Sequence, residues 1–197
     1  MPESNNAGKD WIGAIFMALK TSGNVRRILD VGAGRGTYSD LGRTPDAEWI
    51  GIEAWGPYLK EFNLKDKYDK IIVSDARYLD YSMLGKFDIC FLGDILEHMS
   101  KEEACFVVER ISRICRHIFI SIPISHHPQG ELDENPFQRH VKEDWTHKEV
   151  LESFPNMCAG VSLGDFGVYL VVPQEQDKTF AKSLADEAAR ICYEQDK

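Results

Sequence analysis

Three glycines at alternate positions, Gly32, Gly34 and Gly36, follow directly on an apolar stretch in RILDVGAGRGTYSD, residues 27–40. Ile28, Leu29 and Val31 read as a buried strand, and the polar residues beyond Gly36 can open a helix. Glycine lets a backbone take φ > 0 and lets a ligand come close without meeting a Cβ. The first N–H groups of the following helix then face that ligand. The spacing limits which ligand it is. A dinucleotide fingerprint, G-x-G-x-x-G, needs a third glycine at position 37, where Thr37 stands. The pattern is instead D-x-G-x-G-x-G, headed by Asp30.

Further strands follow at regular intervals. Residues 48–53 (EWIGIE) end in an acid, Glu53, which at about 20 residues beyond the glycine loop can accept hydrogen bonds from both hydroxyls of a ribose. Ala54 and Trp55 come next, and Trp55 either walls an adenine or packs. Residues 57–62 open a helix with Pro57 in its first turn. Residues 70–75 (KIIVSD) read as a third buried strand ending in Asp75, Ala76 and Arg77, and residues 87–92 (FDICFL) as a fourth running into Gly93, Asp94, Ile95, Leu96, Glu97 and His98. Ser100 and Glu103 have capping-box spacing ahead of a helix with Ala104, Val107, Val108, Ile111 and Ile114 on one face. Residues 117–122 (HIFISI) are the fifth strand. Strands alternating with helical pieces predict an α/β doubly wound parallel sheet, whose ligands lie beyond the carboxyl ends of the strands.

In order and spacing, DVGAGRG, IGIEAW, VSDA and FLGDILEHM resemble the class I S-adenosylmethionine-dependent methyltransferases, over about residues 10–125. The resemblance implies a mainly parallel seven-stranded sheet with an antiparallel last strand and helices on both faces. It implies S-adenosyl-L-methionine as cofactor, held by Asp30, Gly32, Ala33, Gly34, Arg35, Gly36, Glu53, Ala54, Trp55, Asp75, Ala76, Gly93 and Asp94. In that family the first acid supports the loop and the methionine end of the cofactor. The acid after the third strand accepts from the adenine amino group.

Methyl transfer from a sulfonium is an in-line displacement in which positioning supplies much of the acceleration. Candidate bases belong after strands four and five: Asp94 and His98 first, then His126, with His127 and His140 as competitors. His117 and His147 read as structural or exposed. No metal ligand is assigned. One alternative stays open, because Asp94-Ile95-Leu96-Glu97-His98 is similar to the E-x-x-E-H element of metal-dependent 2′-O-methyltransferases of small-RNA 3′ ends and of some quinone-precursor O-methyltransferases. There a fourth ligand would come from His126, His127 or His140. A catalytically silent cofactor-binding module is the other alternative.

The remaining chain frames this core. Residues 1–8 are polar and read as flexible. Trp11, Ile12, Ile15, Phe16 and Leu19 predict an amphipathic helix over 9–20, and residues 21–24 turn the chain into the first strand. Residues 123–146, too polar for core, read as a long substrate or lid loop. In it Trp145, Phe137 and Arg139 form either a substrate wall with an anion clamp or the loop's fastening. Thr146 and Glu149 cap a short helix, and residues 157–162 and 163–172 read as a terminal hairpin. Residues 177–197 carry Phe180, Leu184, Ala188 and Ile191 on one face, for a closing helix or a homodimer contact.

With 197 residues the expectation is one domain, and a net charge of −9 argues against nucleic acid as partner. Five cysteines without C-x-x-C spacing suggest neither disulfides nor a zinc knuckle. No secretory pattern and no long apolar run stand out, so a cytoplasmic location and a small-molecule methyl acceptor are expected.

Overall fold

The structure, a computed structural model, describes residues 6–23 and 25–193. Its centre is a seven-stranded sheet in the order β3-β2-β1-β4-β5-β7-β6. The strands are β1 (Arg27–Val31), β2 (Glu48–Glu53), β3 (Lys70–Val73), β4 (Phe87–Gly93), β5 (Cys115–Pro123), β6 (Met157–Leu163) and β7 (Phe166–Val171). The first five are mutually parallel, and β7 runs antiparallel to both β5 and β6. This is the mainly parallel seven-stranded sheet with an antiparallel last strand that the resemblance implies. The helices are α1 (Lys9–Thr21), α2 (Thr37–Gly42), α3 (Tyr58–Glu61), α4 (Leu64–Lys67), α5 (Lys101–Ser112), α6 (His147–Ser153) and α7 (Glu175–Tyr193). None of the helices among the described residues is long and apolar enough to cross a membrane.

Because successive side chains of a strand point to opposite faces, each central strand feeds two cores. Leu29, Val31, Cys90, Leu92, Ile118 and Ile120 join the core under α5 and α6. Ile28, Ile89, Phe91 and Phe119 join the one that α1 and α7 cover. Strands buried on both faces read as continuous apolar runs, as β1, β4 and β5 do. Phe91 is the aromatic hub of the second core. Its ring stacks on Tyr38 at 4.5 Å and Phe119 at 5.4 Å, and meets Phe16 edge-on at 5.5 Å.

Several expectations are corrected. β3 stops at Val73, which is 54% exposed, because it is the sheet's edge; Asp75 lies two residues beyond it, and the strand is not buried. A second short helix, α4, follows α3. The hairpin turns at Gly164 (φ 62°), and Gly167 sits within β7. On α7 the buried stripe is Ala181, Ala185 and Ala188, while Phe180 and Ile191 are exposed. Small side chains bring α7 close to α1, where the Trp11 indole N–H donates to the Ala185 carbonyl at 3.0 Å. The loop 123–146 is less polar in effect than in composition: Trp145 and Asn135 are buried, so Trp145 fastens the loop to the core. Of the expected flexible segment, residues 1–5 lie outside the described residues, as do Asn24 of the predicted turn and residues 194–197 of the tail.

Removing the Phe91 ring leaves a cavity between four aromatic side chains. Phe91→Ala is expected to cost about 3–5 kcal/mol, read as a lower urea midpoint with an unchanged slope.

Candidate active site

The carboxyl ends of β1 to β5 converge on one cavity of about 270 Å³. Gly32, Ala33 and Gly34 enter it from the loop after β1, Glu53 and Ala54 from the end of β2, and Ser74 to Arg77 from beyond β3. Gly93 and Asp94 follow β4, Pro123 ends β5, and the loop 123–146 supplies His127, Gln129, Phe137, Gln138 and His140.

The glycine loop is locked in a conformation that side chains resist. Gly32, Gly34 and Gly36 have φ of 77°, 50° and 81°, all left-handed. A Cβ on Gly32 would stand 2.8 Å from the Ile95 side chain. The Gly32 and Ala33 N–H groups both donate to the Ile52 carbonyl at 2.9 Å, which ties the loop to β2.

Glu53 closes the arrangement. Its Oε2 accepts from the Gly34 N–H and its Oε1 from the Trp55 N–H, each at 2.8 Å, with the side chain buried. Burial pushes this carboxyl up, against the downward pull of the backbone N–H groups. Asp75 is clamped by Arg77, whose guanidinium donates to both carboxylate oxygens at 2.6–3.1 Å and whose own N–H donates to Oδ1 at 2.9 Å. Burial raises Asp75, but the Arg77 hydrogen bonds and charge outweigh it and hold the carboxyl below the usual range. Asp30 does not reach the cavity. It is buried, accepts from the Tyr68 hydroxyl, and is raised by that burial to about 7.

After β4 the chain turns sharply. Asp94 takes φ 50°, its N–H donates to the Ser121 carbonyl at 2.9 Å, and its Oδ1 accepts from the Ser121 hydroxyl at 2.8 Å. A 3₁₀ turn, Leu96–His98, then brings Glu97 and His98 to the wall. Glu97 is buried, and that burial together with the charge of Asp94 pushes its carboxyl well up. His98 faces His140 with ring centroids 4.8 Å apart. Burial drives His98 down to about 4, against the upward pull of the Arg139 carbonyl on its Nδ1.

His126, expected as a catalytic residue, is exposed and does not line the cavity. The neighbouring His127 does, because its N–H is held by the Glu143 carbonyl at 2.7 Å and its ring lies against Phe166 and His140. Arg35, Gly36 and Trp55 also lie outside the lining. Arg139 contributes its carbonyl to His98, not an anion clamp within the cavity. Tyr38, Gln129, Gln138 and Phe166 line the cavity without having been anticipated. Tyr38 alone had a local signal, its place two residues after the last loop glycine. Glu97, weighed for the metal-dependent alternative, and His140, a competing base as well, stand together with His98 in a group able to hold a metal ion.

The depressed His98 value fixes a sign. The folded ring stays neutral while the unfolded chain takes up a proton near the ordinary value of 6.5. The stability from this group is therefore full above about pH 6.5 and is lost as pH falls toward 4. In an NMR titration the His98 ring is expected to protonate with a midpoint near pH 4. A midpoint at its ordinary value would show an open, solvated imidazole.

Residues 29–117 match the family described as "Methyltransferase domain". Compared with curated proteins, the sequence finds no match. Among solved structures, an S-adenosylmethionine-dependent methyltransferase from Clostridium acetobutylicum ATCC 824 is similar with a TM-score of 0.62 and 11% identity, covering 83% of this chain and 91% of that one. The N-terminal domain of EvdMO1 with SAH bound gives 0.60 and 17%, over 83% and 80% of the two chains. The 1,6-didemethyltoxoflavin-N1-methyltransferase of Burkholderia thailandensis, with 1,6-didemethyltoxoflavin and S-adenosylhomocysteine bound, gives 0.58 and 18%, over 84% and 79%. At such identities these likenesses speak for the fold, and the methyltransferase-domain match covers residues 29–117, the part that carries the glycine loop and the ends of β2 to β4.

Proposed function

We propose that this enzyme transfers the methyl group of S-adenosylmethionine to a hydroxyl or amine of a small polar molecule. The observation that carries the cofactor half is the buried Glu53 carboxylate, held by Gly34 and Trp55 at the mouth of the glycine loop. A carboxylate has about four lone-pair positions. The Gly34 and Trp55 N–H groups use two, the Ala54 N–H also pulls on the carboxylate, and the remaining capacity serves the ribose hydroxyls. Beyond β3, the Ala76 N–H and the clamped Asp75 receive the adenine edge. Arg77 keeps Asp75 ionised as an acceptor, which makes Arg77 a positioning residue.

The acceptor half is lined by polar and aromatic groups, His98, His127, Gln129, Phe137, Gln138 and Phe166, with the Asp94 and Glu97 carboxyls beside them. Arg77 is the one lysine or arginine among the lining residues, and it is engaged by Asp75 and Glu103. Such a wall suits a small hydrogen-bonding molecule and offers no free cation to an anionic one. The cofactor supplies an electrophilic methyl on a sulfonium that departs as a neutral thioether. The chain's part is to align the acceptor oxygen or nitrogen and to take its proton. Asp94, His98 and His127 are the groups placed for that, with His127 in the position first assigned to His126.

Calorimetric titration with S-adenosylhomocysteine tests the reading, with saturable micromolar binding expected. Glu53→Ala should raise the dissociation constant by roughly tenfold or more, the loss of about 1.5–3 kcal/mol for hydrogen bonds to a charged group. Unchanged affinity in a folded variant would remove Glu53 from the site. With an acceptor identified by screening, His127→Ala is expected to lower turnover at least roughly tenfold, as loss of acid–base help does, while cofactor affinity stays the same.

A further inference from the structure

The short helix α4 ends at Lys67, with Tyr68 just beyond it, and these two neighbours reach back to the segment 30–40 that contains the glycine loop. The Lys67 ammonium donates to the Arg35 carbonyl at 2.8 Å and to the Asp40 carboxylate. In return the Ser39 hydroxyl donates to the Lys67 carbonyl at 2.7 Å. The Lys67 stem lies over Gly36, where a Cβ would stand 2.5 Å from its Cδ. Tyr68 is buried, and its hydroxyl donates to the buried carboxylate of Asp30, two residues ahead of Gly32.

The Tyr68 ring reaches Asp30 by crossing β2. Asp30 stands opposite Gly51 in the register of β1 and β2, and a Cβ on Gly51 would lie 3.1 Å from the ring and 2.5 Å from the Ile71 side chain. The absent side chain leaves the passage open. Alternation along β1 puts Asp30 on the same face as Ile28, which shares its core with Tyr68. These bonds complement those made from β2. The Ile52 carbonyl and Glu53 hold the loop at Gly32, Ala33 and Gly34, whereas Lys67 and Tyr68 hold it at Asp30, at Arg35 and at the start of α2.

Taking S-adenosylmethionine as the cofactor, as above, we propose that Lys67 and Tyr68 are positioning residues, which fix the glycine loop in its binding shape at the points that Glu53 does not reach. Neither side chain lines the cavity, so both act through the backbone of the loop. A loop already held in its bound shape loses little freedom when the ligand arrives. Released at Asp30 and Arg35, it has to be ordered by the ligand, and affinity falls with every cavity-lining residue still present.

The test uses the whole chain and calorimetric titration with S-adenosylhomocysteine. Lys67→Met and Tyr68→Phe are each expected to weaken binding by roughly fivefold or more, as loss of a hydrogen bond to or from a charged group does. Lys67→Arg, which keeps a cation able to donate to the Arg35 carbonyl, should restore most of that affinity. Val107→Ala is the control for stability alone: it truncates a buried side chain of α5, in the other core, and should leave affinity unchanged. A second readout needs no ligand. The amide resonances of Gly32, Gly34 and Gly36 should move in the Lys67→Met and Tyr68→Phe proteins and stay in place in Val107→Ala. The Lys67 side chain is 26% exposed, so Lys67→Met keeps the test decisive where Tyr68→Phe folds poorly. Equal affinity in the folded Lys67→Met protein would overturn the positioning role and leave the cofactor reading intact. Absence of binding by the unaltered protein would instead remove the cofactor reading, and unmoved glycine resonances would then overturn the hold on the loop as well.

Discussion

The Glu53 carboxylate, gripped by the Gly34 and Trp55 N–H groups, is the interaction on which the rest of the site depends. It joins the loop after β1 to the turn after β2, two segments also linked through the paired strands and the Ile52 carbonyl. The cost of burying a carboxylate is met by charge-assisted hydrogen bonds to backbone donors. The loop in turn holds three residues in left-handed conformations that only this framework over-determines. Strength at this junction and shape at the cavity are the same fact.

Much of the fold was legible because the central strands are short apolar runs bounded by glycine and acids. β1, β2 and β4 fall within a residue of where periodicity places them, and the Ser100–Glu103 capping box starts α5 as its spacing requires. What stayed hidden depends on neighbours remote in sequence. The exposure of β3 follows from its place at the sheet's edge, and nothing local in KIIV announces that. On α7 only part of the expected stripe is buried, Ala188 with Leu184 packed beside the core, while Phe180 and Ile191 face outward and alanines make the close approach to α1.

The site divides along the same line. Glu53 and Gly93 at strand ends, and Asp75 and Asp94 just beyond them, line the cavity where position in the sequence puts them. The Arg77 clamp on Asp75, and the presence of His127 and not His126 in the cavity wall, are set by side-chain direction, which a loop sequence leaves open. Asp30 shows the reverse case: the motif marks it, yet its carboxyl is spent on Tyr68 behind the loop.

The pairing of β1 with β4, Ile28 opposite Ile89 and Val31 opposite Leu92, sets the order in which this molecule can mature. The glycine loop is translated early, but the strand that supports its other side arrives only after β2 and β3, and the hairpin that covers β5 comes last. Non-local parallel pairing is slow because loop closure must precede its reward. On the ribosome the cofactor cradle is therefore a late-forming feature, and a nascent chain halted before β4 carries the signature motif without a pocket to go with it.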